Sequence, residues 1–182
     1  IDSIADLVPA VKPQIAFYEK YGTEGLQAFK DTVDYARSKG LIVIEDGKRN
    51  DISSTAQAYA DGHLGMVQTL SSKTPSINAD ILTVTPYLGP DGLNPFINVC
   101  KEHKKGVFIL VKTSNPSSGE LQDRLVEINE AEKNELKQLG IDVENKTELY
   151  NLVALQVNRY AQENKGKRGY ASIGAVVGAT YP

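Results

Sequence analysis

The sequence predicts an α/β fold on a parallel sheet, and within that class a (β/α)8 barrel of which about five strands are present. Three observations carry this. Apolar runs of strand length alternate with segments of helical spacing from one end of the chain to the other. The runs at 41–44 (LIVI) and 107–113 (VFILVKT) are continuously hydrophobic, the pattern of strands covered on both faces. No strand is followed by a G-x-G-x-x-G or Walker-type phosphate loop, which argues against a dinucleotide fold. The chain has 182 residues, whereas such barrels typically need about 250. It is read as one domain over 1–182, with further barrel elements expected beyond both ends.

The elements follow in order. Ile1 to Leu7 reads as the tail of an amphipathic helix, closed by Pro9. Ala10 to Glu19 reads as a strand with Lys12, Gln14 and Ala16 on one face, and Pro13 marks a strand end or bulge. Leu26, Phe29, Val33 and Ala36 give helical spacing over Thr23–Ser38, and Gly40 is the stop. After the strand at 41–44, a helix runs from about Thr55 to Leu64, with Ser54 and Gln57 as a capping box. Ser71–Asn78 is loop by composition. A strand covers Ala79–Leu88, a short helix Asp91–Cys100, and the most hydrophobic strand Val107–Thr113, which ends in the polar loop Ser114–Ser118. Glu120–Asn164 is charged and helical with a break at Gly140, and Gln122 and Asp123 fall on its surface. Lys165–Gly169 is a basic linker before a last strand, Ala171–Val177.

Composition narrows the function. Apolar residues are 41% and charged residues 24%, the balance of a globular protein. A net charge of −3 offers no basic face for nucleic acid. No stretch has the length of a membrane span, and no basic-then-apolar leader opens the chain. One cysteine, Cys100, cannot form an internal disulfide and suits a cytoplasmic location. With His63 and His103 far apart and read as surface residues, there is little from which to build a metal site.

The chemistry concentrates in Leu41–Thr55, LIVIEDGKRNDISST. Side chains alternate along a strand, so Asp46 and Lys48 project from one face. Asp51 follows on the loop into the next helix, completing D-x-K-x-x-D. The end of a strand in a barrel is where active sites lie. The plainer readings are a solvated charged loop and an Asp51 that simply caps a helix.

Four segments together resemble orotidine 5′-phosphate decarboxylase in its longer bacterial-type branch. They are AVKPQIAFYEKYG from Ala10, EDGKRNDISSTAQAYA from Glu45, TVTPYLGPDGLNPF from Thr83 and VKTSNPSSGELQD from Val111; the terminal GAVVGATYP is a fifth. The D-x-K-x-x-D pattern is shared with phosphosugar decarboxylases and synthases that use Mg²⁺; the other segments narrow the match. The resemblance implies loss of CO₂ from orotidine 5′-phosphate to give uridine 5′-phosphate without metal or cofactor, in de novo pyrimidine synthesis. It implies Lys48 as proton donor, Asp46 as the acid that holds it, and Asp51 as the third charge. It implies substrate contacts from Lys12, Gln14, Thr113 and Ser114. It also implies a homodimer in which Asp51, Ile52 and Thr55 reach the partner's site. The family's first strand would precede Ile1, and its phosphate-gripping loops would follow Pro182. The chain taken literally is therefore expected to turn over little, and a catalytically inactive partial barrel is the reading outside enzymology.

Overall fold

A computed structural model describes residues 1–180, so the Tyr181-Pro182 end of the terminal motif lies outside the described residues. The chain divides into two compact units, Ile1–Phe108 and Ile109–Pro182. Its architecture is that of the (β/α) barrel class, with strands and helices alternating as the sequence predicts.

The first unit begins with turns over residues 1–7, where a helix tail was expected. Strand β1 is only Ala10–Val11, and the chain then forms a short helix, α1 (Ala16–Glu19). The strand expected over Ala10–Glu19 is thus cut short. Pro13 has no N–H to give to a ladder, and the chain bends there into a helical turn. Helix α2 is Gly22–Ser38, stopped at Gly40 with φ 79°. Strand β2 is Ile42–Arg49 and helix α3 is Ser53–His63. The α3 N-cap is Ile52, with no side-chain cap, so the Ser54–Gln57 box does not form; Gln57 instead donates to Asp61 at 2.9 Å. The segment read as loop after α3 contains a small antiparallel pair, β3 (Val67–Gln68) and β4 (Lys73–Thr74). Strand β5 (Ile81–Val84) and helix α4 (Pro90–His103) follow, then the start of β6 (Gly106–Lys112).

Strands β1, β2 and β5 pair in parallel, with Val11 beside Val43 and Ile44 beside Ile81. The faces of β2 are sharply different. Leu41, Val43 and Glu45 are buried, and the first two pack with Ile15, Phe29, Val33 and Ala36 in the core under α2. Burying an aromatic such as Phe29 contributes on the order of 2–3 kcal/mol. Asp80 ties this layer together, accepting from Val43 N at 3.0 Å and pairing with Arg37 of α2.

In the second unit the rest of β6 neighbours β9 (Ile173–Val177). Between them lie a 3-10 turn (Pro116–Ser118), α5 (Gly119–Gln122), β7 (Leu125–Glu127), α6 (Glu130–Gln138), β8 (Lys146–Glu148) and α7 (Leu149–Glu163). The charged stretch is therefore not simply helical. Strands β7 and β8 pair antiparallel around α6, which starts on an Asn129–Glu132 capping box. Leu136 of α6 and Leu155 of α7 are buried, and Arg159 holds Glu135 with two hydrogen bonds, 2.8 and 2.9 Å.

Helices α1 and α2 meet at Gly25, where an added Cβ would stand 1.9 Å from the Tyr18 carbonyl oxygen. Gly25→Ala is expected to destabilise the first unit by about 1–3 kcal/mol, read as a lower urea midpoint in chemical unfolding.

Candidate active site

Strand β2 does not end cleanly. Glu45 pairs with Leu82 and Arg49 with Val84, so Asp46, Gly47 and Lys48 together face Thr83 alone. This bulge carries Asp46 and Lys48 on either side of Gly47 and bends the strand where their side chains meet. Lys48 adopts φ 47°, in the left-handed region, which costs a non-glycine residue on the order of 1 kcal/mol. Gly47 fits because a Cβ there would crowd Leu82 at 3.2 Å and Glu45 Oε1 at 3.4 Å.

Three groups converge on the Asp46 carboxylate. Lys48 Nζ donates to Oδ1 at 2.6 Å, Thr83 Oγ1 donates to Oδ1 at 3.0 Å, and Lys12 Nζ lies 3.9 Å from Oδ2. Lys12 is brought there by backbone: Asp46 N donates to Pro13 O at 3.0 Å and Ile15 N to Asp46 O at 3.3 Å. Thr83 is the pivot. Its hydroxyl also accepts from the Gly47 and Lys48 backbone N–H groups, at 3.1 and 2.9 Å. Burial is the largest single influence on the Asp46 carboxyl and opposes its ionisation. The Lys48 and Thr83 hydrogen bonds, with the charges of Lys48 and Lys12, outweigh it and hold the group below its ordinary value of 3.8.

The other expected residues of this unit lie around that cluster. Gln14 spends its side-chain oxygen on the Ala16 N–H at 3.1 Å, at the start of α1. Asp51 accepts from the Ile52 N–H at 2.8 Å, and among the described residues it forms no ion pair. Ile52 and Thr55 are exposed at the start of α3, and Thr55 lines a groove with Tyr59, His63 and Ser76. His63 is not the surface residue expected from sequence; it is buried, with Nδ1 2.6 Å from Glu45 Oε1.

In the second unit, Thr113 and Ser114 stand past the end of β6. Thr113 is held at both its polar groups by Gln122, which accepts from its backbone N–H at 2.9 Å and donates to its hydroxyl at 2.8 Å. The Thr113 hydroxyl donates onward to Asn115 at 2.6 Å. Ser114 is exposed and passes close to Gly178, where a Cβ would lie 3.0 Å from the Ser114 nitrogen. Gln122 and Asp123 are therefore not idle helix surface. Gln122 orders Thr113, and Asp123 pairs with the buried Lys112. Helical spacing shows neither role, because the partners lie at the end of the preceding strand and just past it. Thr83 was missed for a similar reason: its partner carboxylate is 37 residues away in sequence.

Among the described residues no group of three or more His, Cys, Asp or Glu side chains could hold a metal ion, and no helix is long and apolar enough to cross a membrane.

Comparison with known proteins bears directly on this geometry. The family model described as "Orotidine 5'-phosphate decarboxylase / HUMPS family" matches residues 1–181. An orotidine 5′-phosphate decarboxylase of Rhodopirellula baltica is 46% identical over 182 residues, all of this chain and 53% of that protein. One of Caldicellulosiruptor bescii is 41% identical over 182 residues, all of this chain and 54% of that protein. Among solved structures, a Streptomyces avermitilis protein superposes with TM-score 0.72 at 33% identity, covering all of this chain and 54% of that one. The Leishmania donovani OMP decarboxylase superposes with TM-score 0.62 at 32% identity, covering 94% of this chain and 53% of that one. The chain spans about half the length of the curated relatives it matches.

Two outcomes follow from the cluster. A carboxyl whose folded pKa is depressed adds stability that is complete above its unfolded value and is lost as pH falls through the folded one. Acid unfolding below about pH 4 is expected to be less steep in Asp46→Asn than in the unaltered protein, followed by circular dichroism. Thr83→Val strands two backbone N–H groups and removes one of the two donors to Asp46 Oδ1, and is expected to cost about 1–3 kcal/mol in denaturant unfolding.

Proposed function

The chain belongs to the orotidine 5′-phosphate decarboxylase / HUMPS family, and from that premise we propose that its protein decarboxylates orotidine 5′-phosphate to uridine 5′-phosphate without a cofactor. The observation that supports this most is the Lys48 ammonium on its bulge, 2.6 Å from Asp46 and backed by Lys12. Loss of CO₂ leaves an anion at C6 of the pyrimidine, in an orbital that cannot conjugate with the ring carbonyls. An ammonium fixed beside that carbon stabilises the developing charge and then delivers its proton there, so one residue serves two roles. The C6–carboxylate bond breaks, its electron pair stays on C6, and the Lys48 proton forms the new C6–H bond.

Asp46 holds and aims the ammonium. Lys12, half of whose side chain is exposed, binds substrate at the same carboxylate, with Gln14 beside it. The resemblance also assigns substrate contacts to Thr113 and Ser114, Thr113 being ordered by Gln122. Asp51 completes the charged array in a homodimer, serving the partner's site together with Ile52 and Thr55. The exposure of Ile52 and Thr55 at the start of α3 supports that assignment. The same reading extends to a cytoplasmic location, which a single cysteine suits.

The test is decarboxylation of orotidine 5′-phosphate by the protein at the full length of its relatives, with EDTA present. The unaltered protein is expected to stay active in EDTA. Lys48→Ala is expected to lower kcat by about 10³-fold or more, combining lost proton donation and lost charge stabilisation. Lys48→Ala retaining most of the activity would overturn the assignment.

A further inference from the structure

The bulge that presents Asp46 and Lys48 has two ends, Glu45 and Arg49. Their side chains meet on one imidazole. Arg49 Nε donates to His63 Nε2 at 3.3 Å, while His63 Nδ1 lies 2.6 Å from Glu45 Oε1. A guanidinium can only donate, so Nε2 must accept, and the ring's remaining proton sits on Nδ1, facing Glu45. Neither Glu45 oxygen nor His63 Nδ1 forms a hydrogen bond among the described residues, so their 2.6 Å approach is a contact at ion-pair distance. The Glu45 side chain is fully buried, and a buried carboxylate is retained at such a place only if its partner is held there.

The surroundings lock this bridge. Arg49 also pairs with Glu19 of α1, and its guanidinium lies 5.8 Å from the Tyr59 ring centroid. Tyr59 in turn stacks on His63, ring centroids 6.1 Å apart and planes 29° off parallel. Helices α1 and α3 thus grip the two residues that bound the bulge, from the side opposite Thr83. Nothing in the proposed proton transfer uses His63, Arg49 or Glu45.

We propose that His63 is a positioning residue: by bridging Glu45 to Arg49 it closes the base of the bulge and so fixes the Lys48 ammonium against Asp46. The inference rests on the decarboxylase reading for its kinetic arm alone. Opening the bridge would release the two ends of the bulge. The Gly47 and Lys48 N–H groups would then lose their alignment on Thr83, and the ammonium its aim. Substrate binding, which depends on other groups, would change little.

The experiment compares His63→Gln, His63→Leu and His63→Ala in the protein at the full length of its relatives. A glutamine amide can donate to Glu45 and accept from Arg49, whereas leucine fills the space without either bond. His63→Leu and His63→Ala are expected to lower kcat by about 10- to 100-fold with KM little changed, as loss of a supporting shell does. His63→Gln is expected to recover most of that loss. A substrate-free measurement accompanies this: amide hydrogen exchange at Gly47 and Lys48 is expected to speed up in His63→Leu and to stay protected in His63→Gln. Should His63→Leu and His63→Gln behave alike in both readouts, the bridge has no positioning role and the proposal is overturned. Should the unaltered protein fail to decarboxylate while exchange responds as expected, the decarboxylase reading falls and the bridge stands. If His63→Ala does not fold, the other two variants decide the matter.

Discussion

One carboxylate, Asp46, is shared by two ammonium groups and a hydroxyl, and the first unit is arranged to make that sharing possible. A carboxylate in this half-buried position survives ionised only because its oxygens are satisfied by Lys48, Thr83 and Lys12. Each partner needs its own device. Lys48 needs the bulge and a left-handed backbone. Thr83 needs strand β5 in register beside β2. Lys12 needs Pro13 to end β1 early, so that the chain lies against Asp46 through its backbone.

Strand β2 shows how a scaffold and a site are carried by the same few residues. Its buried face joins the hydrophobic core through Leu41 and Val43, then continues as Glu45, a charged residue at a core position. Its other face carries Asp46 and Lys48. The boundary between them is the bulge, held from one side by Thr83 and from the other by the Glu45–His63–Arg49 bridge. Strain at Lys48 persists because these contacts over-determine it. Local cost and local function coincide there.

The second unit uses polar contacts of another kind. Gln122 reads the backbone and side chain of Thr113 together, and Lys112 is buried on Asp123 with Ser118 and Tyr150 nearby. These pairs fasten the loop after β6 to the short helix α5. Gly178 comes so close to Ser114 that a side chain would collide with its backbone, so β9 also shapes where that loop runs.

Much of this was readable in the residues. The continuous apolar runs placed β2 and β6, helical spacing placed α2 nearly to the residue, and period-two alternation put Asp46 and Lys48 on one face, where they meet. Those signals are local, and near neighbours in sequence suffice to produce them. The rest depended on partners far along the chain. Pro13 turned an expected strand into a helix, β7 and β8 found each other across a charged stretch read as helix, and Thr83 reached a carboxylate on another strand. His63, unremarkable as one of two scattered histidines, is buried because α3 packs its last turn over Glu45. Composition can say which groups are available. Which of them lose water, and to whom they then bond, is settled only when distant segments come within hydrogen-bond reach.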